Sequence, residues 1–199
     1  MNIIVVGIGG NGQTYFMQYL REKSFRLNHL HDADKLKHNA CPTNLNEEQK
    51  KSKIIYVYNK TFDAICSHFR RGWGYAQMVK ININTPYEEE TGKKEGFFKM
   101  TESTLHDHFG AKEHFLRWYN YNSQNGIYFL NLNKINKDEL SAFLKCDKSI
   151  FDNLIFDSTN RHNYNEIKSK YPLSNTMYTD IDNYIDELSI HKNKNLNLV

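Results

Sequence analysis

Cysteine is scarce in this chain: Cys41, Cys66 and Cys146 are the only three in 199 residues, and no two of them share C-x-x-C spacing. A disulfide framework and a zinc site are therefore not expected, and scattered thiols suit a reducing, cytosolic setting. Long apolar runs are missing as well. No stretch approaches the ~20 residues of a membrane span, so no membrane partner is expected. The short apolar N-terminus has no basic region ahead of it and is not expected to be a signal peptide. Nor does one sign of charge dominate. The 26 basic and 23 acidic residues leave a net +3, which compels no nucleic-acid partner. Abundant Asn and Lys lower the mean hydropathy to -0.72. Such a bias follows from an AT-rich genome, a protist's or a large virus's, and carries little functional weight. The expected compartment is the cytoplasm, a host's if the source is viral.

Glycine is present where it matters. Ile3-Ile4-Val5-Val6 is a β-branched run, as in a strand buried on both faces of a parallel sheet. Gly7, Gly9, Gly10 and Gly12 follow it, and from Thr14 the chain reads as a helix with Phe16, Met17 and Leu20 for packing. Strand, glycine loop and helix together aim backbone N–H groups and a helix N-terminus at an anion, here a phosphate or sulfate group. Two frames fit the loop. Gly7, Gly9 and Gly12 satisfy the dinucleotide pattern G-x-G-x-x-G, with Asp32 or Asp34 about twenty residues on as a ribose ligand. Gly7, Gly12 and Thr14 satisfy the phosphate-loop frame G-x-x-x-x-G-K-[ST], with Gln13 where lysine belongs. A tight turn with no ligand is the plain alternative.

The rest of the chain alternates strands and helices, which predicts a single α/β domain. After a first helix to about Ser24, the His31-Asp32 region reads as an exposed loop rather than a metal pair. Lys35 to His38 is expected as a short second strand ended by Pro42, and 46–52 as a short solvated helix. Lys53 to Tyr58 is a second buried strand. Phe62, Ile65, Cys66 and Phe69 then fall on one helical face. Residues 75–100 carry Pro86, Glu88-Glu89-Glu90 and a glycine-lysine stretch, and are expected as an irregular insertion or lid. A helical region is predicted from Thr101 to Tyr121 with a break near Gly110, a strand over Ile127 to Leu132, and a helix over Lys137 to Leu144. A short helix is expected over 149–156 and a last amphipathic helix over Thr179 to Leu188. The domain is expected to span 1–190, with 191–199 as a polar tail.

Residues 53 to 67, KIIYVYNKTFDAICS, resemble the segment of PAPS-dependent sulfotransferases that reads K-I-I-Y, two residues, R-N, two residues, D, three residues, S. Asp63 and Ser67 match. Asn59 stands at the arginine position, with Lys60 beside it. The family's first loop, P-K-S-G-T-T-W, is similar to Gly9-Gly10-Asn11-Gly12-Gln13-Thr14-Tyr15, with Gly10 in the place of lysine. Its K-T-H-x-P strand end is echoed by Lys37 to Pro42, and its L-F-L-x-Y-E-D-L-K-x-D stretch by Ile127 to Leu140. Its S-F-x-x-M-K-x-N-P-x-x-N segment is echoed by Tyr164 to Asn175. The C-terminal R-K-G loop of the family has no counterpart.

The resemblance implies a three-layer sandwich around a central parallel sheet, the P-loop NTPase-like sulfotransferase fold. It implies transfer of a sulfuryl group from PAPS (3′-phosphoadenosine 5′-phosphosulfate), leaving PAP, to a hydroxyl or amine of a sugar or small molecule. No metal is demanded. His38 would be the base. Gly10, Asn11, Gly12, Gln13, Thr14 and Tyr15 would bind the 5′-phosphate side, with Asn59, Lys60 and Ser67 at the 3′-phosphate and Tyr164 against adenine. Arg70 or Arg161 would be further charge partners. Two other readings stay open. One is a sulfotransferase-like fold that binds a nucleotide or partner protein without catalysis, given the missing Lys and Arg. The other is a Rossmann protein binding NAD through Asp32 or Asp34, which leaves 53 to 67 unexplained.

Overall fold

The computed structural model describes residues 2–82, 93–156 and 162–196. Four parallel strands form one sheet: β1 (Asn2–Val6), β2 (Arg26–Leu27), β3 (Lys53–Tyr58) and β4 (Ile127–Asn131), in the order β2-β1-β3-β4. Eight α-helices accompany it among the described residues. They are α1 (Gln13–Glu22), α2 (Thr61–Arg70), α3 (Gly74–Ile81), α4 (Lys94–Thr104), α5 (Ala111–Tyr119), α6 (Lys137–Leu144), α7 (Asn165–Lys170) and α8 (Pro172–Lys194). The class is α/β, as the alternating pattern predicted. No described helix is long and apolar enough to cross a membrane.

The strands are buried on both faces because their β-branched and aromatic runs do not alternate with polar residues. Strand periodicity then divides them between two cores. Ile4, Val6, Ile54, Tyr56 and Phe129 face a layer that takes Phe62 and Ile65 from α2, Phe97 and Phe98 from α4, Phe115 and Trp118 from α5, and Tyr178 and Ile181 from α8. Ile3, Val5, Ile55, Val57, Tyr128 and Leu130 face Phe16, Met17 and Leu20 of α1 and Leu140 and Phe143 of α6. Helices thus cover both faces of the sheet. The first core is aromatic: the rings of Tyr56, Phe115 and Phe129 lie 5.3–5.7 Å apart. Each such side chain removed from water contributes roughly 1.5–3 kcal/mol.

Both sides of the sheet end in asparagine side chains that imitate a neighbouring strand. Asn28, just past the two-residue β2, accepts from Val5 N (2.8 Å) and donates to Val5 O (3.1 Å). Asn193 of α8 does the same for Phe129 of β4, at 3.0 and 2.9 Å. Backbone groups that a buried edge would leave unpaired are satisfied in this way.

Several expected elements differ. The second strand is Arg26–Leu27, not Lys35 to His38. Asp32 and Lys35 have φ of 63° and 59°, which makes 32–38 a string of turns that meets the end of β1 at Gly7, whose N–H donates to Lys37 O (3.1 Å). The expected helices over 46–52 and 149–156 contract to 3-10 turns at Gln49–Lys51 and Lys148–Phe151. Helix α4 starts at Lys94 rather than Thr101, because Phe97, Phe98 and Thr101 make one buried face despite Gly96. Within the expected insertion, α3 and α4 are regular, and 83–92 lie outside the described residues. The last helix runs from Pro172 at its first position to Lys194, so residues 191–194 are helical.

Candidate functional site

The chain leaves β1 for α1 on one face of the sheet and leaves β3 for α2 on the other. The C-terminal ends of β1 and β3 are therefore a topological switch point, where open parallel sheets form a crevice. A cleft of about 670 Å³ lies there.

The glycine loop forms one wall. Gly9, Gly10 and Gly12 have φ of 78°, 69° and 95°, the left-handed region that glycine enters without strain. Gly10 also packs on α2: a Cβ there would lie 2.5 Å from Ala64 O. No side chain fits at position 10, which accounts physically for the absence of a lysine. Gly12 is the N-cap of α1, with no side-chain cap and no acid in the first turn. Beyond the Gln13 N–H, which Asn11 Oδ1 accepts, the positive end of the helix is left for an anion.

Of the sequence-assigned residues, Gly10, Gly12, Gln13, Thr14, His38, Asn59, Lys60, Ser67 and Tyr164 line this cleft. Asn11 and Tyr15 do not. Asn11 is buried and ties the glycine loop to β3 through Nδ2 to Val57 O (2.9 Å), while its Oδ1 accepts from Gln13 N (3.3 Å). Tyr15 points away, donating to Ile155 O (2.7 Å) with its ring 5.9 Å from Phe156. Gln13 turns its side chain inward, and Nε2 donates to Val5 O (3.1 Å) and Lys37 O (2.9 Å). Asn59 accepts from Lys60 N (2.7 Å) and from Asn133 Nδ2, so it anchors the loop and brings no charge. Arg161 lies outside the described residues.

Helix α2 forms the opposite wall. Its N-terminus is capped from α8: Asp182 accepts from Thr61 N (3.0 Å) and Thr61 Oγ1 (2.5 Å), and burial raises its carboxyl to about 7. Asp63 pairs with Lys168 at 2.6 Å. Ser67 is half-buried on the cleft side, followed by Arg70 and Arg71. Lys37, Lys60, Arg70 and Arg71 against one paired carboxylate make the cleft attractive to anions.

His38 Nδ1 lies 2.9 Å from Gly7 O. A carbonyl only accepts, so Nδ1 carries the proton and Nε2 is the lone pair. Burial outweighs that bond and pushes His38 down to about 4, leaving it neutral near pH 7. His68 was not singled out in the sequence. It donates from Nε2 to Ile8 O (3.1 Å) and is pushed to about 3 by burial, then by Arg71. The two rings flank Gly9, where a Cβ would lie 2.6 Å from His38 Cε1 and 3.0 Å from His68 Nε2.

The segment carrying His38 has no regular structure, yet it is fixed from both ends. Asp32 Oδ1 accepts from Lys37 N (2.8 Å). Asn39 O accepts from His114 Nε2 (2.9 Å) and Trp118 Nε1 (3.2 Å), and Ala40 O from Arg117 Nε (2.7 Å). His114 Nδ1 accepts from Tyr56 O–H at 2.9 Å, and burial pushes it to about 3. Beyond His38 a second cleft of about 630 Å³ shares Thr14, Lys37, His38, His68 and Arg71 with the first and adds Asp32, Trp73 and Lys80.

Asp32 and Asp34 are both engaged, Asp34 within its own turn and Asp32 there and with α3. Asp32 Oδ2 pairs with Lys80, and Asp34 accepts from His29 N (2.6 Å) and Leu36 N (3.2 Å). Neither lines the 670 Å³ cleft. Among the described residues no group of three His, Cys, Asp or Glu side chains is placed to hold a metal ion. No protein-family model, curated protein or solved structure matches the chain.

Proposed function

We propose that this chain is a sulfotransferase of the P-loop sulfotransferase fold, moving a sulfuryl group from PAPS to a hydroxyl or amine of a sugar or small molecule. One observation carries the reading. Residues assigned by resemblance in five separate stretches, the glycine loop, His38, Asn59-Lys60, Ser67 and Tyr164, line a single anion-attracting cleft at the switch point. Bound there, PAPS supplies a sulfuryl group on a phosphate leaving group. Loop amides, the first-turn N–H groups of α1 after Gln13 and the Thr14 hydroxyl hold the 5′-phosphate. Ser67 with Lys60 and Arg70 takes the 3′-phosphate, and Tyr164 flanks adenine. His38 stands between the two clefts, and its Nε2 takes the proton of an acceptor entering from the second.

A nucleotide-binding protein without transfer activity is the second reading. It is favoured by the closed space at Gly10 and by an uncharged Asn59 whose Oδ1 is engaged in the loop. The NAD reading lacks a free ribose carboxylate, since Asp32 and Asp34 hold their own turn.

The test is calorimetric titration of wild type and Ser67→Ala with PAP, ATP and NAD, followed by release of PAP from PAPS. The proposal expects PAP to be preferred, Ser67→Ala to weaken it roughly tenfold, and PAPS to be turned over. Binding without turnover selects the second reading, and a preference for NAD overturns both.

A further inference from the structure

The phosphate-loop frame G-x-x-x-x-G-K-[ST] completes its site with a lysine, a point charge reaching the phosphate oxygens. In this chain Gln13 occupies that position and Gly10 has no room for a side chain. An ammonium group nevertheless reaches the loop. Lys37 Nζ lies 2.6 Å from Thr14 Oγ1 and 2.8 Å from Leu30 O. Lys37 is only 6% exposed, and among the described residues no carboxylate forms an ion pair with it.

A buried cation without a counter-ion is costly, and an anion beside it removes that cost. Of the three N–H groups of the ammonium, Thr14 and Leu30 take two, which leaves one for a ligand in the cleft that Lys37 lines. Burial lowers the proton affinity of Lys37 and the Asp32 carboxylate only partly offsets this; an anion in the cleft would favour the charged form further.

We infer that Lys37 is the cation of this phosphate-binding loop, delivered from another segment and held in place by Gln13. The backbone of residue 37 is fixed on both sides. Its carbonyl accepts from Gln13 Nε2 (2.9 Å) and Gly7 N (3.1 Å), and its N–H donates to Asp32 Oδ1 (2.8 Å). The residue that replaces the loop lysine therefore anchors the lysine that substitutes for it. Lys37 is a ligand-contacting residue and Gln13 a positioning residue.

The inference rests on the reading that the cleft binds a phosphorylated nucleotide, but not on which one. Calorimetric titration with PAP and with ADP, each at low and high salt, tests it on wild type, Lys37→Met, Lys37→Arg and Gln13→Leu, all checked for folding by circular dichroism. Lys37→Met is expected to weaken both nucleotides about tenfold or more and to flatten the salt dependence, because a charge on the ligand loses its partner. Lys37→Arg is expected to restore most of both. Gln13→Leu weakens binding by less and keeps the salt dependence, since the charge is still present but less well held. Unchanged binding in folded Lys37→Met overturns the inference while the nucleotide reading stands. Equal losses in Lys37→Met and Lys37→Arg also overturn it. Binding of ADP in preference to PAP, still dependent on Lys37, overturns the sulfotransferase reading alone. If wild type binds neither nucleotide, both readings fall.

Discussion

His38 donates from Nδ1 to the backbone carbonyl of Gly7 at 2.9 Å, so the end of the strand that opens the glycine loop also sets the tautomer of the candidate base. With Nε2 unprotonated and the imidazole pushed down to about 4, the base form prevails above that pH. Replacing His38 with Asn is expected to slow PAP release from PAPS by about 10²–10⁴-fold while nucleotide affinity holds within roughly twofold. The wild-type rate should show no ionisation of this group between pH 6 and 8 and should fall only near pH 4. A limb near pH 6.5 that disappears in His38→Asn would place the ring in water instead.

Stability should fall with acid for the same physical reason. His38, His68 and His114 have folded values of about 4, 3 and 3, below the ordinary 6.5. The unfolded chain therefore binds more protons between pH 6.5 and 4, and stability drops as pH falls through that window. Asp182 acts in the opposite sense, because its carboxyl is raised to about 7 and the folded state holds that proton first. The net expectation is uptake of roughly two protons on unfolding near pH 5, or about 3 kcal/mol per pH unit at most. Urea midpoints from pH 7 to 4.5 measure it. A flat profile would mean that these rings are not held neutral.

Gly10→Ala should destabilise the fold by roughly 2–4 kcal/mol, from left-handed backbone strain and overpacking against α2. The Cβ has Ala64 O at 2.5 Å, a backbone atom that cannot swing aside. Gly10→Lys, which restores the family residue, is expected to be worse than Ala and to recover no PAPS turnover. Denaturant midpoints and the turnover assay together decide. A stable and active Gly10→Lys would show that the loop and α2 can separate.

Asn193→Ala should cost roughly 2–4 kcal/mol, because it leaves the buried N–H and C=O of Phe129 without partners. Truncation after Ile190 should do the same and expose the edge of β4, seen as a lower melting temperature and faster aggregation. A truncated chain as stable as the full one would mean that water replaces the asparagine.

Local patterns carried far in this protein. The β-branched run at 3–6 and the 53–58 run read as buried strands because a strand covered on both faces has no polar alternation. The spacing of Phe62, Ile65, Cys66 and Phe69 identified the face of α2 that packs on the sheet. Where propensity signals conflicted, the reading failed. Gly96 hid the start of α4, whose Phe97 and Phe98 find their partners in α2 and in Tyr171 just ahead of α8, and the polar residues after Ile190 hid the end of α8. Lys35 to His38 reads as a strand because Leu36 sits between lysines, while the positive φ at Asp32 and Lys35 depends on hydrogen bonds that propensity does not describe.

The sequence by itself determined the α/β class, the glycine loop at the end of the first strand and the helix that carries Ser67, since each follows from spacing within a dozen residues. The tertiary structure decided the charge and the chemistry of the site. It brought Lys37 to Thr14 across twenty-three positions, turned Tyr15 outward to Ile155, and left Gly10 no room against Ala64. Such contacts depend on how two layers of helices close over one sheet, and burial that desolvates His38 and Lys37 exists only once they have closed.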